Sequence, residues 1–148
     1  MRLSLPLLNR QVAPELIDIA CGSWQGLTYA EFAEREPAQF NRWISRPDLV
    51  EIPGGESLPA LAERVAAFCR RLLEAHAGEV VIAVGHDSVN RVLLLQALGL
   101  PLSRFWRLGQ EPCAVNRLAH DGRDWTVQSL NETGHLRNPP AGRVAAGA

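Results

Sequence analysis

Several residue types and patterns are missing from this 148-residue sequence, and each absence excludes a class of protein. The chain contains no lysine, so its fifteen basic residues are all arginine, which holds phosphate or carboxylate through a planar two-point contact. The net charge of −1 provides no basic surface for nucleic acid or an anionic membrane, and no apolar run reaches membrane-spanning length. We therefore expect neither nucleic acid nor a membrane as a partner.

Patterns that bind metals, cofactors or nucleotides are also missing. Cys21, Cys69 and Cys113 are odd in number and widely spaced, which argues against a disulfide framework and against a zinc site. The histidines form no His-x-His or His-x-x-x-His pair, and no Walker loop or Gly-x-Gly-x-x-Gly follows a strand. We expect no metal and no cofactor. Met1–Leu8, interrupted by Pro6, is too short for a secretory leader, so the expected location is the cytoplasm.

What is present is the composition of an ordinary globular domain, with 47% apolar and 21% charged residues. Residues 1–137 are long enough to form one domain with a core. Residues 138–148 are rich in proline, glycine and alanine, and they are predicted to form a flexible tail.

Apolar periodicity predicts helices over residues 28–36, 37–46, 57–78 and 88–99. Thr28 and Glu31 have the spacing of a capping box at the first of these, and Ser57 is the expected cap of the third. The third helix has an apolar side that consists of Leu58, Leu61, Val65, Phe68 and Leu72. Its expected solvent side consists of Arg64, Arg70, Arg71 and Glu74.

Strands are predicted at Leu16–Ala20, Val80–Val84, Cys113–Ala119 and Trp125–Leu130. Asp121-Gly122 between the last two is typical of a hairpin turn. Because helices and strands alternate, the predicted fold class is α/β, with a parallel part and an antiparallel C-terminal hairpin.

Gly85-His86 joins the apolar run of residues 80–84 directly to a helix. A junction of this kind directs the N–H groups of the helix N-terminus at whatever lies beside the end of the strand, and an anion is the natural ligand there. His86 would add a titratable cation, unless it is only a polar residue that caps the helix. His86, Asp87 and Ser88 cannot form a serine-hydrolase triad, because adjacent side chains diverge.

Asp18 lies between Ile17 and Ile19 in an apolar pattern. Such a carboxylate either points to solvent or occupies a cleft where it can act as a general acid, and Glu15 is the neighbouring alternative. Gly54-Gly55, before a capped helix, is either a phosphate cradle or a plain turn.

Several segments together resemble the histidine phosphatase superfamily, the phosphoglycerate-mutase-like proteins that include α-ribazole phosphatases. Leu16–Thr28 is similar to the family's L-x-E/D-I-x-x-G-x-W-E/Q-G-L-T segment, and Pro53–Val65 is similar to its P-x-G-E-S helix start. Ala83–Leu95 resembles the strand and helix that carry the family's second catalytic histidine, and Pro112–Asn131 resembles its closing hairpin. The resemblance implies a three-layer fold, with a sheet covered by helices on both faces.

The resemblance also implies roles for particular residues. His86 would be the second histidine of the phosphoryl pocket, and Asp18 would be the acid that protonates the leaving oxygen. Gly85 and the backbone N–H groups of Asp87 and Ser88 would face the phosphate. The implied reaction is hydrolysis of a small phosphorylated metabolite through a covalent phosphohistidine.

Two family motifs are missing from the 148 residues: the Arg-His-Gly strand with the nucleophilic histidine, and the Ser-x-x-x-Arg-Ala segment with a phosphate-binding arginine. We therefore expect an N-terminally truncated fold without its central first strand, and little or no activity. Val80–Val84 would then present an unpaired edge, and each buried unpaired polar group costs about 1–3 kcal/mol.

Such an edge predicts self-association or pairing with a separately encoded N-terminal half. A mis-assigned start, a split gene or a degenerate gene would each produce this sequence. The alternative to an enzyme is a non-catalytic module that binds a phosphorylated ligand or a partner chain.

Overall fold

A computed structural model describes residues 10–137 of the chain, so the predicted tail at 138–148 lies outside the described residues. The helices are α1 (Tyr29–Arg35), α2 (Pro37–Ser45), α3 (Leu58–Ala75), α4 (Asp87–Ala97) and α5 (Gly134–Arg137). The strands are β1 (Val115–His120) and β2 (Trp125–Glu132). Short 3₁₀ helices lie at Pro14–Leu16, Gly22–Trp24, Pro47–Leu49 and Leu102–Arg107. No helix within residues 10–137 is long and apolar enough to cross a membrane.

The helix starts follow the predicted capping chemistry. The Thr28 hydroxyl accepts the Glu31 amide at 3.2 Å, and the Glu31 carboxylate accepts the Thr28 amide at 2.8 Å, so both halves of the capping box are present. Ser57 accepts the Ala60 amide at 3.4 Å at the start of α3. These bonds satisfy N–H groups that the helices leave without internal partners, which fixes where α1 and α3 begin.

The core forms where the apolar side of α3 packs against α4. Leu61, Val65, Val92 and Leu95 have no exposed surface. An aromatic group made of Trp24, Phe32, Trp43 and Phe105 extends this core, with the rings of Trp24 and Phe32 centred 4.3 Å apart. Gln96, near the end of α4, adds a hydrogen bond to the Ala62 carbonyl in the first part of α3 at 2.7 Å, and these contacts fix how α4 lies on α3.

The C-terminal hairpin is confirmed. β1 and β2 pair antiparallel, with His120 opposite Trp125, and Asp121-Gly122 begins the turn. The Asp121 carboxylate accepts the amides of Arg123 and Asp124, and these hydrogen bonds hold its pKa below the ordinary value.

Two of the predicted strands do not form. Pro14–Leu16 is a 3₁₀ helix, and residues 17–20 have no regular structure. Val80–Val84 also has no regular structure, and Val80, Ile82 and Val84 are 98%, 76% and 84% exposed. A strand requires a partner for its backbone groups, and the sheet within residues 10–137 contains only β1 and β2. Residues 10–137 therefore contain no parallel sheet, and the predicted central layer does not form among them.

Residues 80–84 line one side of an open groove of about 1280 Å³. The apolar residues Phe68 and Leu72 of α3 and Leu93 of α4 line another side, and β1 and β2 contribute Leu118 and Trp125. The face of the core that a central sheet would cover is thus left open toward the hairpin.

Leu61→Ala should lower the free energy of unfolding by about 2–5 kcal/mol, because it removes a fully buried side chain between α3 and α4. Leu49→Ala, at a half-exposed leucine, serves as the control and should cost less than about 1 kcal/mol. Urea unfolding followed by tryptophan fluorescence measures both. Equal losses would contradict the placement of the core.

Candidate active site

His86 occupies the N-cap position of α4 with extended backbone, but its side chain makes no capping hydrogen bond. The imidazole is 56% exposed. The amides of Asp87 and Ser88 lie in the first turn and have no backbone acceptor within the described part of the chain. The junction therefore presents two N–H groups and an accessible imidazole on one side.

Asp18 lies next to His86. Its Oδ2 is 3.8 Å from Nδ1 of His86, and its side chain is 49% exposed. Its Oδ1 accepts hydrogen bonds from the Ser88 hydroxyl and, at 2.9 Å, from the Ile19 amide. Ser88 is only 4% exposed, so a buried hydroxyl fixes this carboxylate against α4. Asp18 occupies a partly open cleft, and it is not a freely solvated strand residue.

The loop after Asp18 is held by the turn at 53–56. The Glu56 amide donates to the Ala20 carbonyl at 2.8 Å, and the Ser23 amide donates to the Pro53 carbonyl at 2.9 Å. Gly22 has a φ of +48°, and a Cβ there would overlap the backbone of residues 53–55. Gly55 faces Ala20 just as closely. Gly54-Gly55 is thus a turn that packs against the Asp18 loop.

Glu15, the alternative acid, pairs with Arg71. This hydrogen-bonded pairing lowers the pKa of Glu15 to about 2 and holds its carboxylate on Arg71, whereas the Asp18 carboxylate lies beside His86. Asp18 is the better candidate for the acid.

Arg91 and Asp87 form an ion pair with a 3.2 Å separation on α4. The Arg91 guanidinium also donates to the carbonyls of Phe105 and Leu108 and lies over the Trp106 ring at 5.2 Å. These contacts occupy the Arg91 guanidinium and the Asp87 carboxylate. The group that Asp87 can offer to an anion is therefore its backbone N–H.

Arg64 is the residue that sequence reasoning missed. The prediction put it on the solvent side of α3, but its side chain is only 19% exposed. It donates to the carbonyls of Glu15, Ile17 and Asp18 and pairs with Glu56 at 2.7 Å. Arg64 lies in the Pro53–Val65 segment that resembles a family motif, and this position was the one sequence feature that could have marked it as a candidate site residue.

The other described histidines lie on separate elements. His76 caps the C-terminal end of α3 and contacts Glu79 at 2.9 Å, while His120 packs on Trp125 with ring centres 4.8 Å apart. His135 lies in α5. Among the four described histidines, only His86 is in contact with Asp18.

The family model of the histidine phosphatase superfamily (branch 1) matches residues 4–133. The chain belongs to this superfamily. Phosphoserine phosphatase 1 of Hydrogenobacter thermophilus is 33% identical over 130 residues, which are 86% of this chain and 62% of that protein. A metal-independent phosphoserine phosphatase of Arabidopsis thaliana is 33% identical over 125 residues, which are 83% of this chain and 50% of that protein.

A comparison with solved structures finds the same fold. Bacillus stearothermophilus YhfR superposes with a TM-score of 0.77 at 24% identity, over 82% of this chain and 61% of that structure. The mixed fold of helices and sheet with its antiparallel hairpin is therefore confirmed. The chain spans less than two thirds of the length of each of these three proteins.

Ser88→Ala should lower the free energy of unfolding by about 1–3 kcal/mol, because it removes a buried hydrogen bond to a charged group. Ser45→Ala, which removes an exposed hydroxyl on α2, is the control and should stay within about 0.5 kcal/mol of the parent. Chemical denaturation measures both changes. If Ser88→Ala were neutral, the hydroxyl would not fix Asp18.

Proposed function

We propose that this chain forms one side of a phosphoryl pocket whose activity, when the pocket is complete, is hydrolysis of a small phosphomonoester through a phosphohistidine. The observation that carries the proposal is the approach of Asp18 to His86 at the open N-terminus of α4. Membership of the histidine phosphatase superfamily supports it.

Each residue has a proposed role. His86 hydrogen-bonds the phosphoryl group and offsets its charge, and the N–H groups of Asp87 and Ser88 bind its oxygens beside Gly85. Asp18 protonates the leaving oxygen. The Ser88 hydroxyl and the Ile19 amide orient the Asp18 carboxylate through Oδ1, which leaves Oδ2 on the side of His86.

The nucleophile is not among these residues. The 148 residues include no Arg-His-Gly, and none of the other described histidines contacts Asp18. By itself, the chain is proposed to bind phosphate with little or no turnover.

The proposed substrate is a small phosphorylated metabolite. Two similar proteins are phosphoserine phosphatases by name, and a solved structure of similar fold is a mycobacterial glucosyl-3-phosphoglycerate phosphatase. The ligands in these names share a phosphate ester on a small polar molecule. A cytoplasmic location is part of the same proposal.

The purified 148-residue chain should hydrolyse p-nitrophenyl phosphate little or not at all, yet it should bind vanadate saturably, as followed by tryptophan fluorescence. His86→Ala should weaken vanadate binding by about tenfold or more, the usual scale for a hydrogen bond to a charged group. His120→Ala, which changes a histidine on the hairpin, is the matched control and should bind like the parent.

Turnover that disappears in His86→Ala would contradict the proposed inactivity and require another nucleophile. Saturable binding without turnover, even when the pocket is supplied with its missing segments, would favour the non-catalytic module. Absence of vanadate binding by the parent chain would contradict both.

The proposed partner of the 80–84 segment is a further strand from an N-terminal segment that carries Arg-His-Gly, in the same polypeptide or in a separate one. The support is the exposure of Val80, Ile82 and Val84 beside an open groove. Five consecutive apolar residues whose backbone has no hydrogen-bond partner within residues 10–137 are suited to β-strand addition.

An Arg-His-Gly segment of a family member, supplied in trans, should bind the chain and produce phosphatase turnover. Ile82→Asp should abolish this effect, because it places a charge in the groove, whereas it should leave the unfolding of the chain nearly unchanged. Val12→Asp, at another highly exposed apolar residue, is the control and should be complemented normally. Sedimentation and p-nitrophenyl phosphate assays measure both. A dimer of the chain that Ile82→Asp dissociates would instead identify a second copy as the partner.

A further inference from the structure

We infer that Arg64 is the positioning residue for Asp18: its guanidinium fixes the backbone of residues 15–18, so that the Asp18 carboxylate stays beside His86. The role of Asp18 as the acid rests on the proposed function. The position of the Asp18 carboxylate does not depend on the proposed function, and this position can be tested separately.

All five N–H donors of Arg64 have an acceptor. Nη1 donates to the carbonyls of Glu15 at 2.5 Å and Ile17 at 2.7 Å, and Nη2 donates to the carbonyl of Asp18 at 3.1 Å. Nε and Nη2 donate to the two carboxylate oxygens of Glu56 at 2.7 and 2.8 Å. A guanidinium has five donors in a fixed plane, and here each is used.

The segment that Arg64 holds is anchored by the buried side chains of Leu16 and Ile19 and by Ser88, but two of its backbone carbonyls depend on Arg64. Residues 17–20 form no strand, and Ile17 is mostly exposed. The carbonyls of Ile17 and Asp18 accept from Arg64 and have no other hydrogen-bond donor within residues 10–137. Arg64 therefore supplies donors to carbonyls that have no strand partner among residues 10–137.

Glu56 orients the guanidinium from the opposite side. Its two-point contact fixes the plane of Arg64, and its own amide donates to the Ala20 carbonyl. The loop that carries Asp18 is thus hydrogen-bonded before Asp18 by Arg64 of α3 and after it by the Glu56 amide of the 53–56 turn. Lysine could not replace Arg64, because three donors on one nitrogen cannot reach three carbonyls and a carboxylate in this geometry.

The first test measures native-state hydrogen exchange at the Ile19 amide, which donates to Asp18 Oδ1. Arg64→Lys should speed this exchange about tenfold or more, while the Val65 and Phe68 amides within α3 keep their rates. Arg71→Lys is the matched control, because Arg71 lies on the same helix and contacts the Glu15 carboxylate without binding a carbonyl of residues 15–18. It should leave Ile19 unchanged.

Glu56→Gln provides a second variant in case Arg64→Lys destabilises the whole fold. It keeps the size of the side chain but removes the charge that orients the guanidinium, so it should speed Ile19 exchange selectively and to a smaller extent. Unchanged Ile19 exchange in both variants would overturn the inference. Equal acceleration at Ile19, Val65 and Phe68 in both variants would also overturn it, because Arg64 would then act only on global stability.

The second test measures coupling to Asp18 through vanadate affinity. In the parent chain, Asp18→Asn should tighten vanadate binding about fivefold, because it removes a carboxylate that lies 3.8 Å from the His86 imidazole, and a unit charge at about 4 Å is worth about 1 kcal/mol in water. In the Arg64→Lys background this gain should fall below about twofold, since the backbone of residues 15–18 can shift and only the Ser88 hydroxyl and the Ile19 amide still hold the carboxylate. In the Arg71→Lys background it should persist.

The two tests separate the inference from the proposed function. A full fivefold gain in the Arg64→Lys background would overturn the positioning role. Failure of the parent chain to bind vanadate would overturn the proposed function, and Ile19 exchange would then decide the positioning role alone.

Discussion

The packing of α3 against α4 is the contact on which both sides of the candidate site depend. Leu61 and Val65 on one helix and Val92 and Leu95 on the other are fully buried, and each such side chain contributes about 1.5–3 kcal/mol. The half-exposed ion pairs of this chain contribute about 0–1 kcal/mol each. Apolar burial therefore sets the position of α4, and with it the position of His86, while the polar contacts refine the loop opposite.

Three arginines near the candidate site already form ion pairs with carboxylates of the same chain. Arg64 pairs with Glu56, Arg71 with Glu15, and Arg91 with Asp87. These arginines hold backbone carbonyls or carboxylates, and in the proposed function His86 is the side chain that would meet the phosphoryl group on this side of the pocket. Phosphoryl transfer depends on positioning together with neutralisation of several negative oxygens. In the proposed function, this side of the pocket holds the phosphoryl group and delivers the proton, and the missing segments supply the further positive charge.

The residues 80–84 show why a local pattern can mislead. Their β-branched, apolar character is typical of a buried strand, but a strand forms only when another backbone supplies hydrogen-bond partners. Leu16–Ala20 likewise has no strand partner among the described residues, and there a side chain, Arg64, supplies donors instead. The hairpin at 115–132 was predictable because its two strands and its turn are adjacent in sequence, so each carries its partner with it.

The amino-acid sequence by itself determined the capped helix starts, the apolar side of α3, the hairpin and the choice of Asp18 and His86 as candidate residues. These features depend on periodicity, capping or motif spacing within short segments. Only the tertiary structure decided that Asp18 meets Ser88 seventy positions away, and that Arg64 turns inward from the helix side expected to face water. The physical reason is that long-range hydrogen-bond partners are set by how the helices pack, and no local pattern encodes which distant carbonyl a guanidinium will reach.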